Sequence, residues 1–263
     1  MIKKLSLFIF VLANANLSFS APQNFEKEES RLCIYGLPRS QPTRAVLWLL
    51  QLKSHPYLLV KTTPFSTQAH GSRSVDFLSK FPEGTIPAME DTDGFCLSES
   101  NAIMAYLCCK YGWSDLYPFH EGQKRAKVDE ILHWHHSNTR AITTSILPLI
   151  NPGLAAKLPA DYREINKKIA IKSLRKLEQK LSQSGGDYLC GSKVTIADLC
   201  VYADVGQVSP KWKLGDHLFL AHLDLSGLDR VKKWMETIEK EVPSYVPVHK
   251  EYQDLVFKIR SKL

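Results

Sequence analysis

The chain has 263 residues, of which 44% are hydrophobic and 23% charged, and this ordinary globular composition excludes a disordered, collagen-like or fibrous protein. The formal net charge is +7, but the basic residues come in scattered pairs within helical segments, without a stripe of interleaved aromatic residues. Nucleic-acid binding is therefore not predicted, although a weak positive field favours a small anionic substrate.

The two ends of the chain carry targeting signals that disagree. Residues 1–20 have a basic start, an apolar run and then small residues, which is the pattern of a cleaved secretory leader, and the run is too short to span a bilayer. The last three residues, Ser261-Lys262-Leu263, form the peroxisomal import tripeptide. The sequence thus predicts either a cytoplasmic or peroxisomal protein or, alternatively, one that enters the secretory pathway. No other segment is predicted to cross a membrane.

The first part of the body, 31–111, alternates strands and helices in the order βαβαββα. The predicted strands are 31–35, 57–62, 86–90 and 96–97, and the predicted helices are 43–52, 74–81 and 98–111. Ser40 is the expected N-cap of the first helix, with Pro42 in its first turn. The last helix is expected to turn four side chains inward: Ala102, Ile103, Tyr106 and Leu107.

After a predicted linker, 112–121, the pattern becomes all-helical over 122–263. The predicted helices are 124–139, 162–182, 195–207, 228–239 and 251–262. The second of these has one apolar stripe, made of Ala170, Leu174, Leu177 and Leu181. Thr195 and Asp198 have the spacing of a capping box at the start of the third.

A βαβαββα order with a polar turn before the first helix is the thioredoxin-like arrangement. Redox members place Cys-x-x-Cys in that turn, where this chain has Ser40-Gln41-Pro42-Thr43. Disulfide exchange at this turn is therefore disfavoured, and what remains is a hydroxyl at the positive end of a helix. The six scattered cysteines are interpreted as small core residues, since they show no zinc or disulfide spacing.

Five motifs, in order, resemble the theta class of glutathione transferases over 31 to about 258. They are Ser40-Gln41-Pro42-Thr43-Arg44-Ala45, Phe81-Pro82-Glu83-Gly84-Thr85-Ile86-Pro87-Ala88, Glu99-Ser100-Asn101-Ala102-Ile103, Val128-Asp129-Glu130-Ile131-Leu132-His133-Trp134-His135-His136 and Thr195-Ile196-Ala197-Asp198-Leu199. The resemblance implies an α/β thioredoxin-like domain followed by an all-α domain, assembled as a homodimer. The implied activity is conjugation of glutathione to small electrophiles, or reduction of hydroperoxides, with glutathione as co-substrate and no cofactor.

The resemblance also implies roles for particular residues. Ser40 would stabilise the glutathione thiolate, Ile86 would pair with the peptide backbone of glutathione ahead of a cis-proline, and Glu99 and Ser100 would hold its γ-glutamyl end. Further contacts with glutathione would come from His70 and Thr85, and contacts in the active site from Ser137 and Arg140. Thr85 stands where the family usually has a lysine or a similar polar residue, which puts a side-chain contact there in doubt.

For each of these residues a structural reading stays open. Ser40 also fits a plain N-cap, His70 a surface histidine and Arg140 a solvated helix face. His133, His135 and His136 do not predict a metal site, because only the first and last share a helix face and no third ligand is near. The alternative for the whole chain is a binding or scaffold protein of the same fold that has no turnover.

Overall fold

The computed structural model describes residues 31–150, 152–209, 223 and 225–260, so the segments 1–20 and 261–263 with their targeting signals lie outside the described residues. A four-stranded sheet in the order β2-β1-β3-β4 organises the first part of the chain. Its strands are β1 (Cys33–Gly36), β2 (Leu58–Lys61), β3 (Ala88–Glu90) and β4 (Cys96–Ser98). β1 is parallel to β2 and antiparallel to β3, and β3 is antiparallel to β4. Together with three helices this is the predicted βαβαββα order.

The helices of the first part are α1 (Gln41–Leu52), α2 (Val75–Lys80) and α3 (Ser100–Lys110). The second part contains α4 (Gly122–Ser137), α5 (Arg140–Ile150), α6 (Pro152–Ala155), α7 (Tyr162–Gln183), α8 (Ile196–Val205) with a short 3₁₀ turn (Gly206–Val208), α9 (Asp229–Glu241) and α10 (Tyr245–Arg260). The expected fold class, thioredoxin-like and then all-helical, is confirmed. The predicted stripe of α7 is buried, and the carboxylate of Asp198 accepts the Thr195 amide at 2.9 Å as a capping box requires.

Two expectations about the helices were wrong. The sequence pattern predicts no helix between 139 and 162, where α5 and α6 lie. In α5, Pro148 and several β-branched residues lower the intrinsic helix propensity. The buried residues Ile142 and Ile146, one turn apart, give α5 an apolar face, and α5 packs against α7. Tertiary burial therefore outweighs local preference in this segment.

The inward face of α3 is also rotated relative to the prediction. Ile103 and Leu107 are buried as expected, but Ala102 is exposed and Tyr106 only half-buried. Met104, which the predicted face does not include, and Cys108, which the sequence predicts as a core residue, complete the buried face. A hydrogen bond explains why Tyr106 is only half-buried. Its hydroxyl donates to the buried Asp91 carboxylate at 2.6 Å, which holds the Tyr106 side chain at the edge of the core.

One hydrophobic core runs through both parts of the chain, and α1 lies inside it. α1 packs against α3 of the first part and against α8 and α10 of the second. Its Trp48 is fully buried, donates its indole N–H to the Pro243 carbonyl at 2.8 Å and meets the Tyr202 ring edge-on. Most of the described buried residues of the two parts therefore share one interior, apart from a small separate cluster of Phe77, Phe81 and Ala88, and the start of α1 lies where the two parts meet.

A buried carboxylate joins three of the helices in the second part. Asp204 of α8 accepts hydrogen bonds from the Thr143 hydroxyl and from Arg140 Nη1, the latter at 3.2 Å. Its other oxygen lies 3.3 Å from Nε2 of His135, whose Nδ1 is 2.8 Å from the Thr139 hydroxyl. Burial lowers the pKa of His135 to about 4. At neutral pH the ring is thus neutral, with Nδ1 hydrogen-bonded to the Thr139 hydroxyl and Nε2 lying against the Asp204 carboxylate.

This burial predicts that the protein loses stability in mild acid through His135. An unfolded histidine binds a proton near pH 6.5, whereas the folded ring does so only near pH 4, so falling pH favours the unfolded chain within that window. The shift corresponds to about 3 kcal/mol when fully developed. We expect the free energy of unfolding, measured by urea denaturation, to fall from pH 6.5 to 4, and His135→Gln to make that fall shallower.

His133→Gln is the matched control, because His133 lies on the same helix with its side chain exposed. We expect that variant to keep the slope of the wild type. An unchanged slope in His135→Gln would contradict the interpretation of His135 as a buried neutral ring.

Candidate functional site

The hydroxyl of Ser40 lies at the start of α1 and makes no hydrogen bond with any other described residue. Ser40 is the N-cap of this helix with an extended backbone, yet its side chain makes no capping hydrogen bond, and Pro42 occupies the first turn as predicted. In a typical N-cap serine, the hydroxyl oxygen accepts a hydrogen bond from the backbone amide two or three residues later. The plain N-cap reading of Ser40 is therefore not supported by the geometry, and the oxygen stands at the positive end of a 12-residue helix.

The turn that carries Ser40 is held from below by a buried arginine. Arg44 is 1% exposed, and its Nη1 donates to the carbonyl of Arg39 at 3.2 Å and to that of Pro38 at 3.4 Å. Its Nη2 donates to the carbonyl of Ala203 on α8 at 2.9 Å. The guanidinium thereby fixes the two residues before Ser40 against the helical part of the chain.

Beside this turn lies a cleft of about 160 Å³. It is lined by Pro42, Thr85, Ile86, Pro87, Glu99, Ser100, His135, His136 and Arg140. Five residues proposed from the sequence are thus brought together from three separate stretches of chain. Ser40 precedes the lining residue Pro42 by two positions.

One wall of the cleft offers free main-chain groups. The Ile86–Pro87 peptide bond is cis, as the resemblance implied. The amide and carbonyl of Ile86 form no hydrogen bond with any other described residue, although β3 begins only two positions later. A donor and an acceptor on one residue at a strand end are what an extended peptide needs to pair in β-fashion.

A second wall is the start of α3. Glu99 has the unusual backbone angle φ = 70°, which non-glycine residues rarely adopt and which is concentrated at functional sites. Its side chain is exposed, and Ser100, the first residue of the helix, is buried. The first intrahelical bond is that from the Ile103 amide to the Glu99 carbonyl, so the earlier amides of α3 are available to an anion.

Three residues proposed from the sequence do not line this cleft: Ser40, which lies two positions before the lining residue Pro42, His70 and Ser137. His70 is exposed in the loop after β2, with φ = 61° and its carbonyl accepting the Thr63 amide at 2.9 Å. Ser137 is exposed at the end of α4, where its hydroxyl accepts from Asn138 Nδ2 at 3.2 Å. Their roles stay predictions from the resemblance.

His135 and His136 line the cleft, although the sequence does not predict them as site residues. No group of three or more metal-ligating side chains occurs among the described residues. The partner of His135, Asp204, comes from a different helix 69 positions later. Nothing in the local sequence pattern indicates that pairing.

Other features of the described residues do not add chemistry to the cleft. A larger cavity of about 540 Å³ lies along the first half of α4 and contains none of the proposed site residues. All six cysteines are free thiols, and burial raises the pKa of Cys190 to about 12, so that thiol stays protonated at neutral pH. Among the described helices, none is both long and apolar enough to cross a bilayer.

Comparison with known proteins agrees with this geometry. Residues 34–115 match the family model described as glutathione S-transferase, N-terminal domain, and residues 155–241 match that of the C-terminal domain. Human glutathione S-transferase theta-2 is 32% identical over 206 residues, covering 76% of this chain and 77% of the relative. Arabidopsis thaliana glutathione S-transferase T1 is 28% identical over 234 residues, covering 88% and 91%.

Solved structures give the same result for the fold. The human theta-class glutathione transferase in complex with the glutathione conjugate of 1-menaphthyl sulfate superposes with a TM-score of 0.71 at 27% identity, covering 88% of this chain and 89% of that one. A delta-class glutathione transferase of Nilaparvata lugens gives 0.70 at 25% identity, covering 88% and 99%. By sequence and by fold, the chain belongs to the glutathione S-transferase family and is a theta-like member of it.

Proposed function

We propose that the cleft beside α1 binds glutathione and that the Ser40 hydroxyl holds its thiolate for attack on a small electrophile. The observation that carries the proposal is the uncommitted hydroxyl at the start of α1, next to a cleft lined by Ile86 and Ser100. The relatives are named glutathione S-transferases, and one theta-class structure holds a glutathione conjugate. No observation favours the alternative of a scaffold without turnover.

Glutathione would lie along both walls of the cleft. The free amide and carbonyl of Ile86 would pair with its peptide backbone, and the start of α3 with Ser100 would hold its γ-glutamyl carboxylate. The exposed Glu99 carboxylate would face the ammonium group of the same residue. This arrangement points the cysteinyl sulfur toward Ser40.

The chemistry at Ser40 is modest activation combined with firm placement. A free thiol with a pKa of about 8.5 is only about 3% thiolate at pH 7. A hydrogen bond to the anion contributes roughly 1.5–3 kcal/mol and the helix end about 0.3–1 kcal/mol, enough to lower the thiol pKa by about two units. Because nucleophilicity falls as the pKa falls, the net gain is only a few-fold. Holding sulfur and electrophile together must supply most of the rate.

The acceptor would enter from the helical part, where His135, His136 and Arg140 line the cleft. With a hydroperoxide, the same thiolate would attack the terminal oxygen, so that the O–O bond breaks, the alcohol leaves after taking up a proton, and glutathione sulfenic acid forms. A second glutathione would convert the sulfenic acid into glutathione disulfide and water. Assays with a benzylic halide, an isothiocyanate and cumene hydroperoxide therefore measure the balance between transferase and peroxidase activity.

Ser40→Ala tests the proposed thiolate stabilisation. Removing the hydrogen bond should raise the thiol pKa of bound glutathione by about 1–2 units, as measured by the ultraviolet absorbance of the thiolate against pH. We expect kcat/KM for 4-nitrobenzyl chloride at pH 7 to fall roughly tenfold or more, since placement is lost together with activation. Retention on immobilised glutathione should persist.

Ser79→Ala is the matched control, because the Ser79 hydroxyl serves only its own helix by donating to the Asp76 carbonyl. That variant should leave the thiol pKa and the turnover unchanged. A Ser40→Ala protein with the thiol pKa of the wild type would refute the assignment.

Ser100→Ala tests the second wall. The hydroxyl lost there is expected to contact the glutathione carboxylate, so KM for glutathione should rise about tenfold while kcat at saturating glutathione changes little. Ser98→Ala, two positions earlier at the end of β4, is the control. An unchanged KM for glutathione in Ser100→Ala would place the carboxylate elsewhere.

Assembly and location are also proposals. The resemblance supports a homodimer, which light scattering of the purified protein tests. We propose cytoplasmic or peroxisomal residence directed by 261–263, with secretion through 1–20 as the alternative. We expect N-terminal sequencing of the native protein to find residues 1–20 intact. We also expect deletion of Leu263 to abolish peroxisomal import. Cleavage near residue 20 would establish the secretory alternative.

A further inference from the structure

A carboxylate that does not line the cleft holds two side chains that do. Asp204 is 1% exposed, and its two oxygens contact Arg140 Nη1 at 3.2 Å and His135 Nε2 at 3.3 Å. Arg140 and His135 both line the cleft, on α5 and α4 respectively, whereas Asp204 lies behind them on α8. Its position allows it to act on the site through these two residues and not by contact with a substrate.

A chain of hydrogen bonds connects this carboxylate to the start of α1. The Thr143 hydroxyl donates to Asp204 and accepts from the side-chain amide of Gln207. The oxygen of Gln207 in turn accepts from Gln41 Nε2 at 2.9 Å. Every donor in this chain meets an acceptor, and all four residues are buried. Gln41 directly follows Ser40, so the chain links the thiolate side of the site to the acceptor side.

The charges in this network leave Arg140 as the counter-ion of Asp204. His135 is neutral at pH 7, and among the described residues Arg140 is the only cation bonded to Asp204. A buried carboxylate without its cation is strongly unfavourable. Conversely, an arginine without its carboxylate has a long flexible stem and a head group that turns toward water. Arg140 is about one-third exposed, so its place in the cleft depends on this single ion pair.

We propose that Asp204 is a positioning residue of the transferase, which fixes the Arg140 guanidinium on the acceptor side of the cleft and ties it, through Thr143, Gln207 and Gln41, to the turn of Ser40. The inference rests on the proposed function of the cleft. It assigns to Asp204 an effect on the acceptor and none on the recognition of glutathione.

Asp204→Asn tests this assignment because asparagine keeps the shape and removes the charge. We expect kcat/KM for 4-nitrobenzyl chloride, determined at saturating glutathione, to fall about tenfold while KM for glutathione stays within twofold. Arg140→Ala should cause a similar loss. In the Arg140→Ala background, Asp204→Asn should cost less than a further twofold, because its effect passes through Arg140.

Asp198→Asn is the matched control for a purely structural effect. Asp198 is a buried carboxylate on the same helix that accepts from the Leu189 amide and the Trp234 indole. Its replacement should lower the urea midpoint but leave the kinetic constants for the acceptor unchanged. Should Asp204→Asn fail to fold, Thr143→Val replaces it, with an expected threefold loss for the acceptor that disappears when Arg140 is alanine.

Two outcomes would overturn the proposal. One is an unchanged kcat/KM for the acceptor in Asp204→Asn, or in Thr143→Val if that variant is used. The other is a loss that multiplies fully with that of Arg140→Ala, which would make the effect independent of the arginine. A wild-type protein without any turnover would instead refute the proposed function, so the two failures are distinct.

Discussion

The burial of α1 between the sheet and the helical part is the constraint on which the rest of the structure depends. Nearly every residue of this helix is buried, and Trp48 at its middle contacts α8 by its ring edge and reaches Pro243 through its indole N–H. A helix enclosed on both sides has only its ends near solvent. Its first turn therefore opens at the seam between the two parts, which is where the cleft lies. The site exists at this place because the core is shared.

The first turn of α1 is held by the buried guanidinium of Arg44, whose charge is compensated by carbonyl groups and an aromatic ring. Arg44 bonds to three carbonyls and lies 4.4 Å from the centre of the Tyr252 ring. Carbonyl dipoles and an aromatic face can compensate a guanidinium only if they are well placed. The carbonyls stabilise Arg44, and Arg44 in turn fixes the carbonyls. Two of these carbonyls belong to the residues immediately before Ser40. The serine hydroxyl is presented by a backbone that the buried charge helps to hold.

The sequence was sufficient to predict the order of strands and helices over 31–111, the stripe of α7 and the role of Asp198 in capping, because each follows from short-range spacing. It was not sufficient for α5, whose local preference runs against a helix and whose stability comes from packing. The grouping of Thr85, Ile86, Glu99, Ser100 and Arg140 was anticipated only through the resemblance. The pairing of His135 with Asp204 was not anticipated at all, since no local pattern encodes a contact between α4 and α8.

Under the proposed function, the network around Asp204 would compensate for the weak activation of the thiolate by the Ser40 hydroxyl. If the anion gains only a few-fold in reactivity at Ser40, most of the rate must come from a fixed distance between sulfur and acceptor. That distance spans two parts of the chain, so it is only as constant as the contacts across the seam. Gln41 and Gln207 make such a contact directly, and Thr143 and Asp204 extend it to Arg140, which lines the cleft. Buried hydrogen bonds are suited to keeping this distance constant. Breaking any one of them leaves a buried polar group without a partner, which costs free energy.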